Sequence, residues 1–360
     1  MKVALVHDHL AQDGGAEKVL QVLQDMFPQA PTYTLLYNPD GVHPDFRRKD
    51  IRTSFIQRLP FGVRKYQWYL PLMPLATESY DLSGYDVVIS SSSAFAKGVI
   101  TAPNALHICY CHTPTRYLWT DSHSYVQELR VPKVVKWFIP FVLNRLRTWD
   151  RMAADRVDIF VANSKTVQDR IKKYYRRDSE IVYPPVNLKK FTPKTAPGGK
   201  YFLAGGRLVS YKRFDLIVTA FNRLGIPLKI FGTGPEMQTL QAMAKKHIEF
   251  VGYVNEEQQA ELYRGARAFI NPQVEDFGIT PIESMASGTP VIAFAQGGAL
   301  ETVVEGVTGK FFHEQRWEDI ADMVIRWDDK AFDPQRIHQH AQRFDINAFQ
   351  QRLRNILKPL

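Results

Sequence analysis

Apolar and polar positions in this chain follow two patterns that take turns. Short apolar runs bounded by polar or turn residues read as buried strands. Longer stretches with apolar residues three and four apart read as helices. The first run, 2–7, leads through Asp13-Gly14-Gly15-Ala16-Glu17 into a helical stripe of Val19, Leu20, Val22, Leu23 and Met26. Further strands are expected at 32–36, 87–90, 106–112, 159–163 and 180–183. A strand, a glycine turn and a helix, then more strands, is the opening of a doubly wound α/β domain. Tyr183-Pro184-Pro185-Val186-Asn187 breaks the pattern, and 191–200 is rich in proline and glycine. The pattern then restarts, with strands expected at 201–204, 228–231, 249–251, 268–270 and 290–294 and a helix after Gly234-Pro235-Glu236. The expected architecture is two doubly wound Rossmann-like α/β domains facing a cleft, 1–186 and 187–344. A final helix over 345–360, with an apolar stripe of Phe349, Leu353, Ile356 and Leu357, is expected to cross back to the first domain.

Bulk composition narrows the class. A chain of 360 residues suits two domains, and 45% hydrophobic with 23% charged residues is ordinary for a globular protein. The formal net charge of +9 favours an anionic partner: a phosphorylated small molecule, an anionic lipid surface or nucleic acid. No nucleic-acid-binding motif accompanies it. The two cysteines, Cys109 and Cys111, lie on one face of an expected strand and suit reduced thiols in a cytoplasm. The N-terminal run ends in His7-Asp8 and reads as a strand rather than a signal peptide. Two stretches, 58–74 and 133–149, mix cations with Trp, Phe and Tyr. They suit peripheral contact with an anionic membrane surface, or else core helices with solvated cationic ends.

Candidate chemistry centres on Glu275-Asp276-Phe277-Gly278-Ile279-Thr280-Pro281-Ile282-Glu283. It follows an expected strand and reads as a helix start, with Thr280 at the cap, Pro281 first in the helix and Glu283 third. Such a helix N-terminus is a seat for an anion such as a diphosphate. Read alone, the same residues also make a simple capping box between Thr280 and Glu283. Gly206, Arg207 and Lys212 follow the first strand of the second domain, where Arg207 and Lys212 suit a diphosphate clamp. His112 ends a first-domain strand, on the side where α/β proteins bind ligands. Gln296-Gly297-Gly298 reads as a second anion seat. The Gly14-Gly15 turn lacks the G-x-G-x-x-G fingerprint of dinucleotide enzymes.

Taken in order, these pieces resemble a retaining glycosyltransferase of the GT-B fold, family 4, over essentially the full length. The most specific is the pair of glutamates with seven residues between them, Glu275 and Glu283. Gly206-Arg207 with Lys212, Gly14-Gly15, His112, Asn163-Ser164 and Gly297-Gly298 support it, and Asp276 departs from the glycine many members carry. The resemblance implies that Glu283 binds the ribose of a nucleotide sugar and Glu275 the sugar hydroxyls. Arg207 and Lys212 would neutralise the departing diphosphate, and the backbone at Phe277, Gly278, Ile279 and Thr280 would hold the diphosphate or sugar. Val254 and its neighbours would meet the base. Gly14 and Gly15 would let the diphosphate approach, and His112 would sit at the reacting face of the sugar. No Asp-x-Asp-type metal signature is present, so no metal and no further cofactor are expected. The segments 110–119 and 275–279 resemble those of bacterial GDP-mannose-dependent mannosyltransferases of surface-polysaccharide assembly. That implies a saccharide or polyprenyl-diphosphate-linked acceptor and work at the inner face of the cytoplasmic membrane. A UDP-sugar donor, a sugar-nucleotide epimerase and a non-catalytic nucleotide binder are the competing readings.

Overall fold

The computed structural model describes residues 1–122 and 133–358. Clustering of contacts divides the chain into two compact units, Met1–Tyr183 and Pro184–Leu360. The first holds a seven-stranded sheet of β1 (Val3–His7), β2 (Thr32–Thr34), β3 (Ile51–Thr53), β4 (Val87–Ser92), β5 (Leu106–Cys111), β6 (Ile159–Ala162) and β7 (Ser179–Ile181). Its order is β3-β2-β1-β4-β5-β6-β7, and every pairing is parallel. The second holds β8 (Tyr201–Gly205), β9 (Leu228–Phe231), β10 (Ile248–Gly252), β11 (Ala266–Asn271), β12 (Val291–Phe294) and β13 (Gly309–Phe312). They run β10-β9-β8-β11-β12-β13, again all parallel.

Helices cover both faces of such sheets, so the central strands are buried throughout, as β4 is along its whole length. This is why they read as unbroken apolar runs. The helix Gly15–Met26 returns its stripe of Val19, Leu20, Val22 and Leu23 to the first sheet's core. Cys109 and Cys111 are both buried free thiols in one cluster with Phe160, Ile171 and Tyr175. Burial foremost, and then the neighbouring Cys109, pushes the Cys111 thiol well up. The helix after Gly234-Pro235-Glu236 forms as Met237–Met243.

Two expectations need adjusting. Leu35 leaves the sheet after Thr34 and packs with Ile56, Met73, Leu143 and Leu146, so β2 is shorter than the apolar run suggests. β3 and β13 were not anticipated. β3 is a three-residue edge strand carrying an exposed arginine, and β13 starts at Gly309, where a side chain would meet Val291 O at 2.0 Å.

In each sheet the strand order reverses once, between β1 and β4 and between β8 and β11. The carboxyl ends of strands flanking such a reversal are where open α/β sheets bind ligands. One further feature belongs to the second unit. Lys194, in the segment ahead of β8, is buried and donates to Gly198 O at 3.0 Å and Ala266 O at 2.8 Å. Burial pushes its ammonium down to about 8, with Asp329 opposing.

Candidate active site in the two units

In the second unit, the loops after β8 and β11 meet at the reversal. After β8 the chain passes Gly206, at φ 125°, and reaches Lys212 in the short turn Ser210–Lys212. Arg213 follows at φ 55° and is tied to Asp215 at 3.1 Å, which fixes how the turn leaves the sheet. Lys212 is thereby buried, and its Nζ lies 2.9 Å from Glu275 Oε1. Burial alone would lower the Lys212 ammonium. The Glu275 carboxylate more than offsets this, so the net direction is upward. A Cβ at Gly206 would stand 3.2 Å from this ammonium. Arg207 is exposed at the start of the same loop.

The loop carrying Glu275 runs into Gly278, at φ 93°, and the helix Ile279–Ala286. The capping box expected here does not form. Gly278 is the cap residue, Thr280 is second in the helix, Pro281 third and Glu283 fifth, and no side chain caps the end. The positive φ at Gly278 turns the chain two residues before Thr280, which moves the whole helix start forward. Thr280 Oγ1 is buried with no hydrogen-bond partner. The first turn holds no acidic residue, so its orphan N–H groups and positive dipole end meet no charge from within the helix.

Glu283 has a different task from the one a capping box would give it. It is buried, and its Oε2 accepts from Gln259 Nε2 at 2.7 Å and Tyr263 OH at 3.4 Å. Burial, then the charge of Glu283, pushes the Tyr263 hydroxyl well above its ordinary range, so it stays a donor. Sequence reasoning missed Gln259 and Tyr263. Their signal was a polar pair four apart on one face of the helix Glu256–Arg264. These two donors, both on Oε2, help to orient the Glu283 carboxylate.

The Gly297-Gly298 turn supports the Glu275 loop. Gly298 N–H donates to Glu275 O at 2.9 Å. A Cβ at Gly297 would meet Glu275 O at 2.4 Å, and one at Gly298 would meet Phe277 Cα at 2.4 Å. Only glycines let this turn press directly on the backbone of the Glu275 loop. Phe277 is buried edge-on to Phe344, 5.7 Å between ring centres, so its contribution to any ligand contact comes from its backbone. Val254 lies between Gly252, at φ 80°, and Asn255, which caps the next helix in a capping box with Gln258. Tyr253 beside it is 81% exposed.

In the first unit, Gly14 caps the helix Gly15–Met26, and this helix does carry an acid in its first turn, Glu17. Glu17 is buried, and its Oε2 would lie 3.0 Å from a Cβ on Gly14. The Glu17 carboxylate therefore lies beside the Gly14 turn at the start of this helix. His112 follows β5 directly. Its Nε2 is 2.7 Å from Ser91 Oγ at the end of β4, and Asn163 Nδ2 donates to its carbonyl at 2.9 Å. Burial foremost, with the neighbouring His7, pushes the His112 imidazole down to about 4, so it is neutral at pH 7. Beside it, Asp8 accepts four consecutive backbone N–H groups from Ser93 to Ala96, at 2.5–2.9 Å. Sequence reasoning also missed His7, Asp8, Glu17 and Ser91 as site-forming residues. For His7, Asp8 and Ser91 the signal was polar side chains closing otherwise apolar strands, and for Glu17 an acid in the first helical turn after the glycines. Among the described residues, no group of three or more His, Cys, Asp or Glu is placed to hold a metal.

Comparison with known proteins places the chain by family and fold. The model for "Glycosyltransferase Family 4" matches residues 13–190, and that for "Glycosyl transferases group 1" matches 187–348. A D-inositol 3-phosphate glycosyltransferase of Mycobacteroides abscessus is 32% identical over 49% of this chain and 45% of its own length. The alpha-1,3/1,6-mannosyltransferase ALG2 of Dictyostelium discoideum is 26% identical over 64% of this chain and 63% of its own. A GDP-mannose-dependent alpha-(1-6)-phosphatidylinositol monomannoside mannosyltransferase of Mycobacterium tuberculosis is 29% identical, over 48% and 53%. The chain thus spans between 45% and 63% of the length of these relatives. Anabaena Alr3699/HepE, solved in complex with UDP-glucose, superposes over 100% of both chains with a TM-score of 0.73 at 17% identity. That likeness shows the fold, two Rossmann-like α/β domains of the GT-B type. With the two family models spanning 13–348 between them, the chain belongs to the family 4, group 1 glycosyltransferases.

Proposed function

We propose that this chain is a retaining glycosyltransferase that moves mannose from GDP-mannose to a saccharide or lipid-linked saccharide. The carrying observation is the second unit's arrangement of charge. A buried ammonium, Lys212, is held against Glu275 where the backbone turns into a helix end with no acid in its first turn. Breaking a sugar–diphosphate bond builds negative charge on the leaving phosphate. Preorganised cations and backbone N–H groups lower the cost of that charge in the transition state. Lys212 is the buried cation and Arg207 the exposed one, and between them they take the place of a divalent metal. Glu283, oriented by Gln259 and Tyr263, is the acceptor for ribose hydroxyls. Glu275, already engaged by Lys212, takes sugar hydroxyls rather than acting as nucleophile. His112, neutral, faces the sugar.

Mannose and GDP are supported by the two mannosyltransferase relatives and by segments 110–119 and 275–279. A UDP-sugar donor is the second reading, favoured by the UDP-glucose complex of the Anabaena neighbour. A panel of GDP- and UDP-sugars, followed by thermal shift and by transfer to a lipid-linked acceptor, separates the two. Stabilisation and transfer with GDP-mannose are expected; a response to UDP-sugars alone replaces the donor. Interconversion of the sugar without acceptor would instead make the protein an epimerase. Chelation of divalent metals should leave turnover within about twofold, as electrostatic work done by fixed side chains requires.

The acceptor reading carries a membrane surface with it. The two aromatic stretches pack on one cluster, where Leu59, Tyr66 and Tyr69 meet Ile139, Val142 and Trp149. The helix Lys133–Ala153 turns Leu143 and Leu146 inward and leaves Trp137, Phe138 and Phe141 more than half exposed. Phe61 and Trp68 are likewise exposed, with Lys65 Nζ 4.3 Å over the Trp68 ring. Among the described residues no helix is long and apolar enough to cross a membrane. Exposed aromatics among cations suit an anionic lipid interface at the cytoplasmic face. Flotation with anionic vesicles is expected at low salt and should be lost in Trp137→Ala/Phe141→Ala; no flotation of the wild type removes this part of the reading.

A further inference from the structure

In the first unit, the ends of β1, β4 and β5 and the first turn of the helix Gly15–Met26 are joined by side chains. Ser91 Oγ lies 2.7 Å from His112 Nε2 and 3.1 Å from His7 Nδ1. His7 Nε2 is 3.7 Å from Glu17 Oε1, longer than a hydrogen bond but within reach of the carboxylate's field. Ser91, His7 and Glu17 are all buried, so solvent does not scramble the pattern of donors and acceptors. Burial pushes the Glu17 carboxyl up, but its contact and charge interaction with His7 and its own backbone N–H outweigh this, and the net direction is downward. Glu17 is therefore ionised at neutral pH and can only accept.

The remaining protons follow in order. His7 carries its proton on Nε2, facing Glu17, which leaves Nδ1 as an acceptor. Ser91 has one hydroxyl proton and gives it to His7 Nδ1. Its oxygen then accepts the N–H of His112 Nε2. That leaves His112 Nδ1 as a lone pair, and among the described residues no hydrogen bond engages that atom. We infer that Glu17, His7 and Ser91 are positioning residues that lock His112 in the Nε2–H tautomer, so that its Nδ1 accepts from a hydroxyl of the bound sugar. The ligand class follows from the lone pair: it takes an O–H and turns away a phosphate oxygen, which has no proton to give. The negative charge at the far end of the chain also polarises each bond in turn, which strengthens Nδ1 as an acceptor. The inference rests on the reading of His112 as a residue facing the donor sugar.

The test reads the tautomer directly. With ¹⁵N-labelled histidine, the His112 ring in the wild type should show a protonated Nε2 and a bare Nδ1. Glu17→Gln offers His7 an amide donor instead of an anion. This should reverse every bond in the chain and leave His112 protonated on Nδ1. Ser91→Ala should uncouple His112 from Glu17, and Ser91→Thr, which keeps the hydroxyl, should restore the coupling. Both disrupting variants should melt near the wild type while kcat falls roughly 10- to 100-fold, the scale expected of a misoriented reacting group. Glu17→Gln should cost nothing further in the Ser91→Ala background, because the two act through one path. A wild-type His112 protonated on Nδ1, additive losses, or wild-type turnover in both variants would overturn the relay. His112→Gln separates the two levels. Loss of turnover there with full activity in Ser91→Ala confines the failure to the relay, whereas full turnover in His112→Gln removes His112 from the site and the relay with it.

Discussion

Two helices start at the carboxyl edge of the sheets after a glycine turn, and they treat their N-termini in opposite ways. In the first unit, Gly15–Met26 begins behind Gly14 in ordinary extended backbone, at φ −149°, and carries Glu17 in its first turn. In the second unit, Ile279–Ala286 begins behind Gly278 at φ 93° and carries neither an acid in the first turn nor a side-chain cap. The first helix end is supplied with its anion by the chain itself. The second is left positive, with Lys212 close by through its bond to Glu275. Strand–glycine–helix thus recurs in both units, and the first helical turn sets whether the helix end meets a carboxylate of its own.

The contrast can be broken at several points. Lys212→Ala should have the largest effect, a fall in kcat of roughly 10²–10³, the range seen when one fixed donor to a developing anion is removed. Steady-state kinetics with the thermal midpoint measured alongside separates this from the cost of leaving Glu275 unpaired. Gly278→Ala should come next. It forces a side chain to positive φ and sets a Cβ 3.1 Å from Glu275 Oε2, so about 1–3 kcal/mol of stability should be lost, read by urea titration. Gly14→Ala meets only the Glu17 Oε2 tip at 3.0 Å in unstrained backbone and should cost less than about 1 kcal/mol. Equal losses at the two glycines would erase the distinction.

Thr280→Asp would give the second helix the acid that the first already has. Donor affinity, measured by calorimetry, should fall about tenfold, in line with up to ~2 kcal/mol for a charge at a helix end. Unchanged affinity would mean that this end does not face the diphosphate. The smallest effect is on pH. The Lys212 ammonium is held above its ordinary value, so its pairing contributes fully below the unfolded lysine value of about 10.4 and is lost as pH rises through the higher folded one. Lys212→Met should flatten the wild-type loss of stability in that alkaline window, measured by urea titration at successive pH values.

Much of this was legible from the sequence because parallel strands buried on both faces leave continuous apolar runs, as in β6 and β12. The candidate residues after β8 and β11 were legible too, since Arg207, Lys212, Glu275 and Glu283 stand out as charges beside glycine turns. What could not be read was which partner each would meet. Lys212 and Glu275 are 63 positions apart, and only the strand order β8-β11 brings them to 2.9 Å. The capping box was misread because Thr280 and Glu283 have suitable spacing, while the turn at Gly278 depends on φ, which spacing does not encode. The contact of the Gly297-Gly298 turn with the Glu275 loop was not legible for a related reason: glycines that admit a ligand and glycines that admit another backbone look alike. The short strands β3 and β13 lack an apolar run of their own and depend on neighbours.

Lys194 has a consequence in covalent labelling. With its ammonium at about 8, roughly half of this side chain is a free amine at pH 8, whereas an ordinary surface lysine is almost wholly protonated. Its intrinsic reactivity toward acylating reagents therefore exceeds that of the surface lysines, yet burial and two carbonyl partners keep reagents away while the segment 191–200 stays folded. Protonation does not limit its modification; access does. The acylation rate of Lys194, followed by peptide mass spectrometry, is accordingly a clock for how often that segment opens.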